Sequence, residues 1–324
     1  MHDFELNFPK AYGPITASAF FRSTPEDFQV VENLGFELAG EGEHVYLHVA
    51  KCGENTAFVA EKIAQLANVK IMDVSYSGRK DRHAITRQWF SVYLPEKNLT
   101  APIDWRKLDS ETIKVLEFTR HLKKLRRGEH ESNSFVIRLK NINTLDKAAL
   151  DQKIQQVFAK GVPNYYGEQR FGRNANNLVD ALAWIEGGRN IRDKQKQSLV
   201  LSAVRSYLFN TLLADRVSQG DWDRLIEGDP INQPSSPLWG RGRSLAKDAL
   251  LARETHLLEP FGAWLDFLEH KGLKQERRNN RLDIGAGAFR WLEENTLELA
   301  FNLAPGEFAT SVLTELFDLQ NQQA

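Results

Sequence analysis

Apolar residues that alternate with more polar ones predict β-strands in both halves of the chain. A period of two is that of a strand with one buried face. The alternating apolar positions are Val45, Leu47 and Val49, then Phe135, Ile137 and Leu139, and finally Leu297, Leu299, Phe301 and Leu303. Two further strands are predicted at about residues 70–77 and 89–94.

Helical spacing predicts a helix between the first strands and a largely helical middle of the chain. From Thr56 to Asn68 the apolar residues fall on one helical face, and Asn55 or Thr56 is available as the N-cap. In the middle the clearest series are Leu178, Leu182 and Ile185, and Leu199, Val204, Leu208 and Leu212. A closing helix is marked by Val312, Leu313 and Leu316.

The change of pattern after Lys160 predicts two domains. Residues 161–283 are rich in helical spacing, and strand patterning returns after them. The roughly 40 residues that remain are too few to form a domain alone. We therefore expect residues 1–160 and 284–324 to form one domain, with residues 161–283 inserted as a second.

Composition narrows the class of protein. The 324 residues are 42% hydrophobic, which is enough for one large core or two moderate ones and gives no sign of disorder. The single cysteine, Cys52, excludes an internal disulfide and a cysteine-cluster zinc site, so a cytoplasmic location is expected. We expect no secretion signal, no membrane span and, without a heptad pattern or large apolar stripe, a monomer.

The distribution of charge indicates a nucleic-acid partner that the net charge of −1 does not. Residues 120–127 contain five cations in eight residues. Other clusters lie at residues 79–87, 170–173 and 277–281. The alternative is a solvated surface segment, because short basic runs are common. The predicted RNA-binding cations are Arg79, Arg82, Lys123, Lys124, Arg126, Arg127, Arg170 and Arg173.

One acid, Asp81, stands among cations in a loop between two predicted strands. Arg79, Lys80, Arg82 and Arg87 surround it in sequence. Neighbouring positive charge favours the ionised carboxylate, which suits a nucleophile or a base. The alternative is a surface ion pair that only organises the loop, which is the commoner fate of a charged turn.

Four motifs in this sequence resemble those of the TruD family of tRNA pseudouridine synthases. They run in the family's order from near residue 20 to near residue 315, so the resemblance covers almost the whole chain. The central motif is Gly78-Arg79-Lys80-Asp81-Arg82-His83-Ala84-Ile85-Thr86. The others are Pro25-Glu26-Asp27-Phe28, Asn164-Tyr165-Tyr166-Gly167-Glu168-Gln169-Arg170-Phe171-Gly172 and Gly306-Glu307-Phe308-Ala309-Thr310-Ser311-Val312.

The resemblance implies an α+β fold, in which a catalytic domain with a mixed, largely antiparallel sheet flanked by helices carries an inserted α/β domain. It implies isomerisation of uridine to pseudouridine with Asp81 as the catalytic residue and without a cofactor. The substrate implied is tRNA at uridine 13, with glutamate tRNA among those modified. Attack on C1′, addition to the uracil ring and formation of a glycal remain open as routes.

The resemblance also implies which residues line the uridine pocket, namely Phe28, Asn133, Phe135 and Phe308. Such a pocket is needed because a stacked uridine must be extruded before chemistry. From the residues alone, Asn133 could read a uracil edge or form a turn. Phe28 and Phe308 lie at element boundaries, where a phenylalanine is more often part of the core.

The roles of the remaining charged residues stay open at the level of sequence. Lys80 and Arg79 could each pair with Asp81 or hold a phosphate, and we expect Lys80 to be the partner beside Asp81 and a substrate-binding residue. Arg170 and Arg173 suit phosphate clamps or ion pairs equally well. Ala175 stands where many relatives are expected to have glycine.

Two other functions compete with isomerisation. A non-catalytic RNA-binding or RNA-chaperone module would use the same cations, with Asp81 as a structural residue. A metal-dependent hydrolase would use Asp81 and His83, but no third or fourth ligand stands at a recognisable spacing, so we expect no metal.

Overall fold

The computed structural model describes residues 4–96, 101–188, 190–230 and 232–321. The strands are β1 (Ala17–Phe21), β2 (Phe28–Asn33), β3 (His44–Cys52), β4 (Val74–Tyr76), β5 (Ile85–Tyr93), β6 (Ile113–His121), β7 (Ser132–Thr144), β8 (Val162–Pro163), β9 (Ser235–Leu238), β10 (Glu276–Asn279), β11 (Arg281–Leu282), β12 (Gly285–Glu293), β13 (Thr296–Leu303) and β14 (Asp318–Asn321). The helices are α1 (Thr56–Ala67), α2 (Lys147–Lys160), α3 (Asn176–Ile185), α4 (Lys194–Ser218), α5 (Asp248–Leu258), α6 (Gly262–His270) and α7 (Ala309–Leu316).

The described chain divides into two compact units. The sheet unit comprises Thr16–Asp151, Ile284–Ala309 and the described part of Phe317–Ala324. The helical unit comprises the described part of Met1–Ile15 with Gln152–Asp283 and Thr310–Leu316. The assignment of catalysis to one domain and of an inserted role to the other stays a prediction.

Ten of the described strands form one sheet in the sheet unit. Its main path runs β12-β13-β7-β2-β5-β3-β6, with β1, β4 and β14 attached at its side. Most neighbours are antiparallel, and the parallel pairs are β2 with β5 and β1 with β14. The α+β fold class is therefore confirmed, since this mixed sheet is packed with helices in the same chain.

Strand register brings a set of polar residues to one face of the sheet. Glu32 of β2 lies opposite Asn133 of β7, and Val30 lies opposite Phe135. Directly paired residues point to the same side of a sheet, and so do residues two apart along a strand. Phe28, Glu32, Asn133 and Phe135 therefore share a face, on which Lys51, Thr86 and Gln88 are further buried polar residues.

Helix α1 packs against the sheet and closes its main core. Val59 and Ile63 are fully buried, as are Leu47 of β3 and Phe90 of β5 in the same hydrophobic cluster. The predicted helix is confirmed, with Asn55 as its N-cap. Its apolar face supplies the stabilisation, because burying a large aliphatic side chain contributes about 1.5–3 kcal/mol.

Strand β13, from the C-terminal part of the chain, joins the same sheet, as its alternating pattern predicted. β13 pairs antiparallel with β7 from Leu297 opposite Leu139 to Leu303 opposite Asn133. Leu299 is fully buried. A segment more than 150 residues away in the sequence therefore forms part of the same sheet.

Two predicted strands begin elsewhere than expected. Residues 71–73 form a short 3-10 turn before the three-residue strand β4. Strand β5 begins at Ile85, four residues before the predicted start at Trp89. Thr86 and Gln88 are fully buried in β5. The prediction looked for apolar residues at every second position. Because the buried residues at the start of β5 are polar, that pattern did not reveal where the strand begins.

The helical unit is built around α4. The predicted helical series lies in α4, where Val204, Leu208 and Leu212 are buried, whereas Leu199 is 56% exposed. Leu199 lies in the second turn, where the helix is only partly covered. The rings of Phe4 and Tyr207 meet edge to face with centroids 5.6 Å apart, which packs the N-terminal segment into this unit.

No helix in the described residues combines the length and apolar character needed to span a bilayer.

Ala175 provides a test of the backbone before α3. Its φ of +56° lies in the left-handed region that favours glycine. Ala175→Gly therefore relieves strain, whereas Ala183→Gly in the last turn of α3 only removes helix propensity. We expect Ala175→Gly to have a free energy of unfolding about 1 kcal/mol above that of Ala183→Gly. Urea denaturation measures both, and equal losses would contradict strain at Ala175.

Candidate active site

The loop between β4 and β5 carries Asp81, and hydrogen bonds to backbone carbonyls hold its first residues. The Gly128 N–H donates to the Ser77 carbonyl at 2.8 Å. The Gln88 side-chain amide donates to the Gly78 carbonyl. Because Gln88 is fully buried in β5, this end of the loop is tied to the interior of the sheet.

The backbone on both sides of Asp81 is held by two further side chains. The Thr56 hydroxyl, at the start of α1, accepts the Lys80 N–H at 3.0 Å. The Lys51 ammonium donates to the Asp81 carbonyl at 3.0 Å and to the Glu54 carbonyl at 2.9 Å. Burial lowers the pKa of Lys51 to about 8, and the nearby Asp81 carboxylate opposes that shift. Sheet, helix and loop thus fix the position of Asp81 together.

Arg22, and not Lys80, is the ion-pair partner of Asp81. The Arg22 guanidinium lies 2.5 Å from the Asp81 carboxylate. The Arg22 side chain is only 13% exposed, whereas that of Asp81 is 37% exposed. The carboxylate is therefore paired on one side and open to a ligand on the other.

Two phenylalanine rings and the backbone hold Arg22 in place. Its guanidinium carbon lies 4.7 Å from the ring centre of Phe21 and 4.3 Å from that of Phe28. Both rings are buried. Arg22 has a φ of +59°, a region that costs a non-glycine residue energy and that marks sites where geometry is imposed. The Arg22 guanidinium therefore makes the cation–π contacts and the ion pair to Asp81 from one fixed position.

The expectation that Lys80 pairs with Asp81 was wrong. The Lys80 ammonium lies 2.5 Å from the carboxylate of Glu32, which is almost fully buried and also accepts the Trp89 N–H. Burial raises the pKa of Glu32, and Lys80 opposes that shift. An unpaired carboxylate at this depth would be costly, and this explains why the lysine turns inward to Glu32.

The residues predicted to line a uridine pocket differ in exposure. Phe28 and Phe135 are buried, with ring centres 5.9 Å apart. Asn133 is 7% exposed on the same face of the sheet. Phe308, in the loop before α7, is 43% exposed and so is not a core residue. The register brings Phe28, Asn133 and Phe135 together, and their roles stay predictions.

A buried histidine, His130, joins the Asp81 loop to Asn133. The His130 Nδ1 lies 2.5 Å from the Ser77 hydroxyl, and the Nε2 lies 2.9 Å from the Asn133 side-chain nitrogen. Burial, with a contribution from Lys80, lowers the pKa of His130 to about 4. The imidazole is therefore neutral near pH 7.

The basic run forms an exposed surface around a buried anchor. Leu125 is fully buried in a small cluster with Leu34, Tyr46 and Trp89. The exposed cations on either side of it are Lys123, Lys124, Arg126 and Arg127. Four charges held next to one rigid contact suit a phosphate backbone.

The cations next to Asp81 are also exposed. Arg79, Arg82 and His83 all face solvent, and the Arg82 guanidinium donates to the Gly53 carbonyl at 2.8 Å. Across the part of the chain that the structure describes, no three histidine, cysteine or acidic side chains come close enough to hold a metal ion.

Arg170 and Arg173 belong to the helical unit. Arg170 donates to the Ser202 hydroxyl at 3.0 Å, and its guanidinium carbon lies 5.1 Å from the ring centre of Tyr166. Arg278 lies over the same ring at 4.4 Å. Arg173 is exposed. Arg170 is thus partly engaged within its own unit, while Arg173 is open to solvent.

Comparison with known proteins identifies the family. The family model of tRNA pseudouridine synthase D (TruD) matches residues 16–181. A protein of Cellvibrio japonicus named tRNA pseudouridine synthase D is 57% identical over 321 residues, covering 99% of this chain and 96% of the relative. The chain belongs to the TruD family.

Other TruD proteins extend the comparison. The protein of that name from Methylococcus capsulatus is 43% identical and covers 98% of this chain and 96% of its own. A crystal structure from Methanosarcina mazei, described as tRNA pseudouridine synthase D (TruD), superposes with a TM-score of 0.71 over 97% of this chain and 96% of that one. At 18% identity it shows the shared fold alone.

Neutral His130 predicts an acid-dependent loss of stability. Its pKa is about 4 in the folded protein and near 6.5 when unfolded. Below pH 6.5 the unfolded chain takes up the proton first, so the free energy of unfolding falls by up to about 3 kcal/mol as the pH approaches 4. In His130→Leu this part of the fall should be absent. Equal slopes of unfolding free energy against pH for both proteins would contradict a buried neutral His130.

Proposed function

We propose that this protein isomerises uridine to pseudouridine in tRNA, with the Asp81 carboxylate as its nucleophile. Its TruD relatives carry the name tRNA pseudouridine synthase D. The observation that carries the proposal for Asp81 is its geometry. An accessible carboxylate is paired with a fixed guanidinium on a loop whose backbone is held from several sides.

That geometry favours catalysis over the simple surface ion pair. A surface pair joins two mobile side chains and contributes little to stability. Arg22 is instead mostly buried against two aromatic rings and held with a strained backbone. Rigid placement of a reacting group is what lowers an activation barrier.

The proposed reaction conserves every atom of the nucleotide. The bond between N1 and C1′ breaks, the uracil turns within its pocket, and C5 bonds to C1′. The proton on C5 leaves, and N1 gains one. Asp81 acts on C1′ or on the uracil ring, or it removes a ribose proton to give a glycal. Arg22 holds the carboxylate in a fixed position in each case.

The target nucleotide is extruded from its stack before it reacts. We propose that Phe308, which is exposed, stacks on the extruded base, and that Phe28 and Phe135 form the apolar wall beneath it. Lys80 acts at a distance as a substrate-binding charge while it neutralises Glu32.

The exposed cations bind the tRNA backbone in this proposal. They are Arg79, Arg82, Lys123, Lys124, Arg126, Arg127 and Arg173, and the partly buried Arg170 binds with them. Phosphate contacts of this kind position RNA without reading its sequence. The proposed target is uridine 13, in glutamate tRNA among others, as the likeness to the TruD family implies.

Replacement of Asp81 tests the proposal. Asp81→Asn should lower kcat by at least about 10⁴-fold, because the nucleophile is lost, and change the Kd for tRNA by less than about threefold. The measurement is chemical mapping of pseudouridine in unmodified tRNA. Glu117→Gln, which alters an exposed carboxylate of the same unit, is the control and should keep wild-type kcat.

The opposite results define the competing function. Near wild-type turnover by Asp81→Asn would refute the role of Asp81. No product from the wild type on a tRNA panel, together with tight and salt-dependent binding, would support a binding module instead.

A further inference from the structure

Four aromatic side chains lie side by side at the end of β5 that is away from Asp81. His44 of β3 lies opposite Tyr93 of β5 and opposite His121 of β6, so the three rings share one face of the sheet. The ring centres of His44 and Tyr93 are 5.2 Å apart. Phe36 extends this ring row, because its ring stacks on that of His121 with centres 5.4 Å apart.

The loop that carries Phe36 is fixed to β6 by its backbone. The Ala39 N–H donates to the His121 Nδ1 at 3.2 Å, and the Gly40 N–H donates to the Arg120 carbonyl at 3.0 Å. Gly42 has a φ of +116°, and a Cβ at this position would collide with the His121 carbonyl. The position of the Phe36 ring is therefore set by the fold, before any ligand binds.

The two outer rings of the row are open to solvent. Phe36 is 36% exposed and Tyr93 is 40% exposed. His44 and His121 are half-buried between them. A single exposed apolar residue is ordinary, but a contiguous patch of rings held on a rigid sheet is a feature of binding surfaces.

The basic run connects the ring row to the Asp81 loop. Strand β6 ends at His121, and the exposed cations follow it directly as Lys123, Lys124, Arg126 and Arg127. Burial and the nearby Lys124 charge lower the pKa of His44, which places that cation beside the row. At its other end the run reaches Gly128, whose N–H donates to the Ser77 carbonyl at 2.8 Å.

This combination of groups matches the chemistry of an unpaired nucleotide. Its phosphate pairs with lysine and arginine, and its base has a π face that stacks on phenylalanine, tyrosine or histidine rings. A paired helix would supply the phosphates, but its bases are stacked on one another and leave the rings without a partner. The surface therefore fits RNA whose strand is locally unpaired.

We propose that the ring row stacks an unpaired base of the bound tRNA, at a second contact apart from the target uridine, while the basic run holds the phosphates between them. The inference rests on the proposed function, because it takes tRNA as the ligand. Strand β5 runs nine residues from Ile85 to Tyr93. At about 3.4 Å per residue, the row lies about 27 Å from the end of the Asp81 loop, so its base is not the one that reacts.

Variants of Tyr93 test the stacking. The Kd for an unmodified tRNA transcript is measured in the Asp81→Asn background, where the tRNA is not converted. Tyr93→Leu keeps an apolar side chain but removes the ring, and should raise the Kd at least about fivefold, the low end for one stacked base. Tyr93→Phe keeps the ring and should bind within about twofold of the parent. Phe36→Leu is a second variant with the same expected loss.

Salt dependence separates the rings from the cations. Tyr93→Leu should leave the slope of log Kd against log salt unchanged, because no phosphate contact is lost. Lys123→Gln should lower that slope by about one. On a fully paired RNA duplex, Tyr93→Leu should bind as tightly as the parent.

Phe118→Leu is the matched control. Phe118 is 48% exposed and lies opposite Leu47, on the other face of β6 from His121. Its replacement should leave the Kd for tRNA unchanged, since it removes an exposed ring outside the row.

Three results would overturn the inference. They are parental affinity in both Tyr93→Leu and Phe36→Leu, an equal loss in Tyr93→Phe and Tyr93→Leu, and a loss in Tyr93→Leu that is matched by Phe118→Leu or is equally large on the duplex. Absence of pseudouridine from the wild type would refute the proposed function instead, while the Kd ratios would still report on the ring row.

Discussion

The ion pair between Arg22 and Asp81 sets the geometry on which the rest of the site depends. Each of the two residues is also held by contacts of its own, separate from the ion pair. Arg22 is held by the rings of Phe21 and Phe28, and the Asp81 backbone is held by Lys51 and by the loop contacts around it. Because these contacts already restrain Arg22 and the backbone of Asp81, forming the ion pair costs little further conformational entropy. The pair therefore holds the carboxylate in one place.

The sheet provides these supports through polar residues placed in the buried register of its strands. Lys51 continues the series of Val45, Leu47 and Val49, and Glu32 continues that of Phe28 and Val30. Each buried charge is compensated, Glu32 by Lys80 and Lys51 by two carbonyls. Burying these charged groups lowers the stability of the fold, and the result is a set of rigidly held polar groups on a largely apolar face.

Much of the scaffold could be predicted from the sequence, because periodicity reports burial directly. Helix α1, strand β13 and the closing helix α7 all lie where the pattern placed them. The start of β5 was missed because its first inward residues are polar and paired with other elements. Local pattern carries no information about partners that arrive from elsewhere in the chain.

The same limit applies to the site. Asp81 was singled out by its neighbours in sequence, whereas Arg22, its partner, is 59 residues away. Lys80 was preferred because it is adjacent, but the buried Glu32 attracts it. The position of Lys51 in an apolar series was a usable signal, since a lysine in an inward register has to have a specific partner. His130 gave only the weaker signal of a histidine three residues before Asn133.

The central claim is that Arg22 acts by holding the Asp81 carboxylate, and replacement of Arg22 tests it most directly. Arg22→Met keeps an apolar contact with the two rings and removes the charge. The claim predicts that kcat for pseudouridine formation falls about 100-fold while the Kd for tRNA changes less than threefold, with partial recovery in Arg22→Lys. Wild-type kcat in Arg22→Met would contradict it.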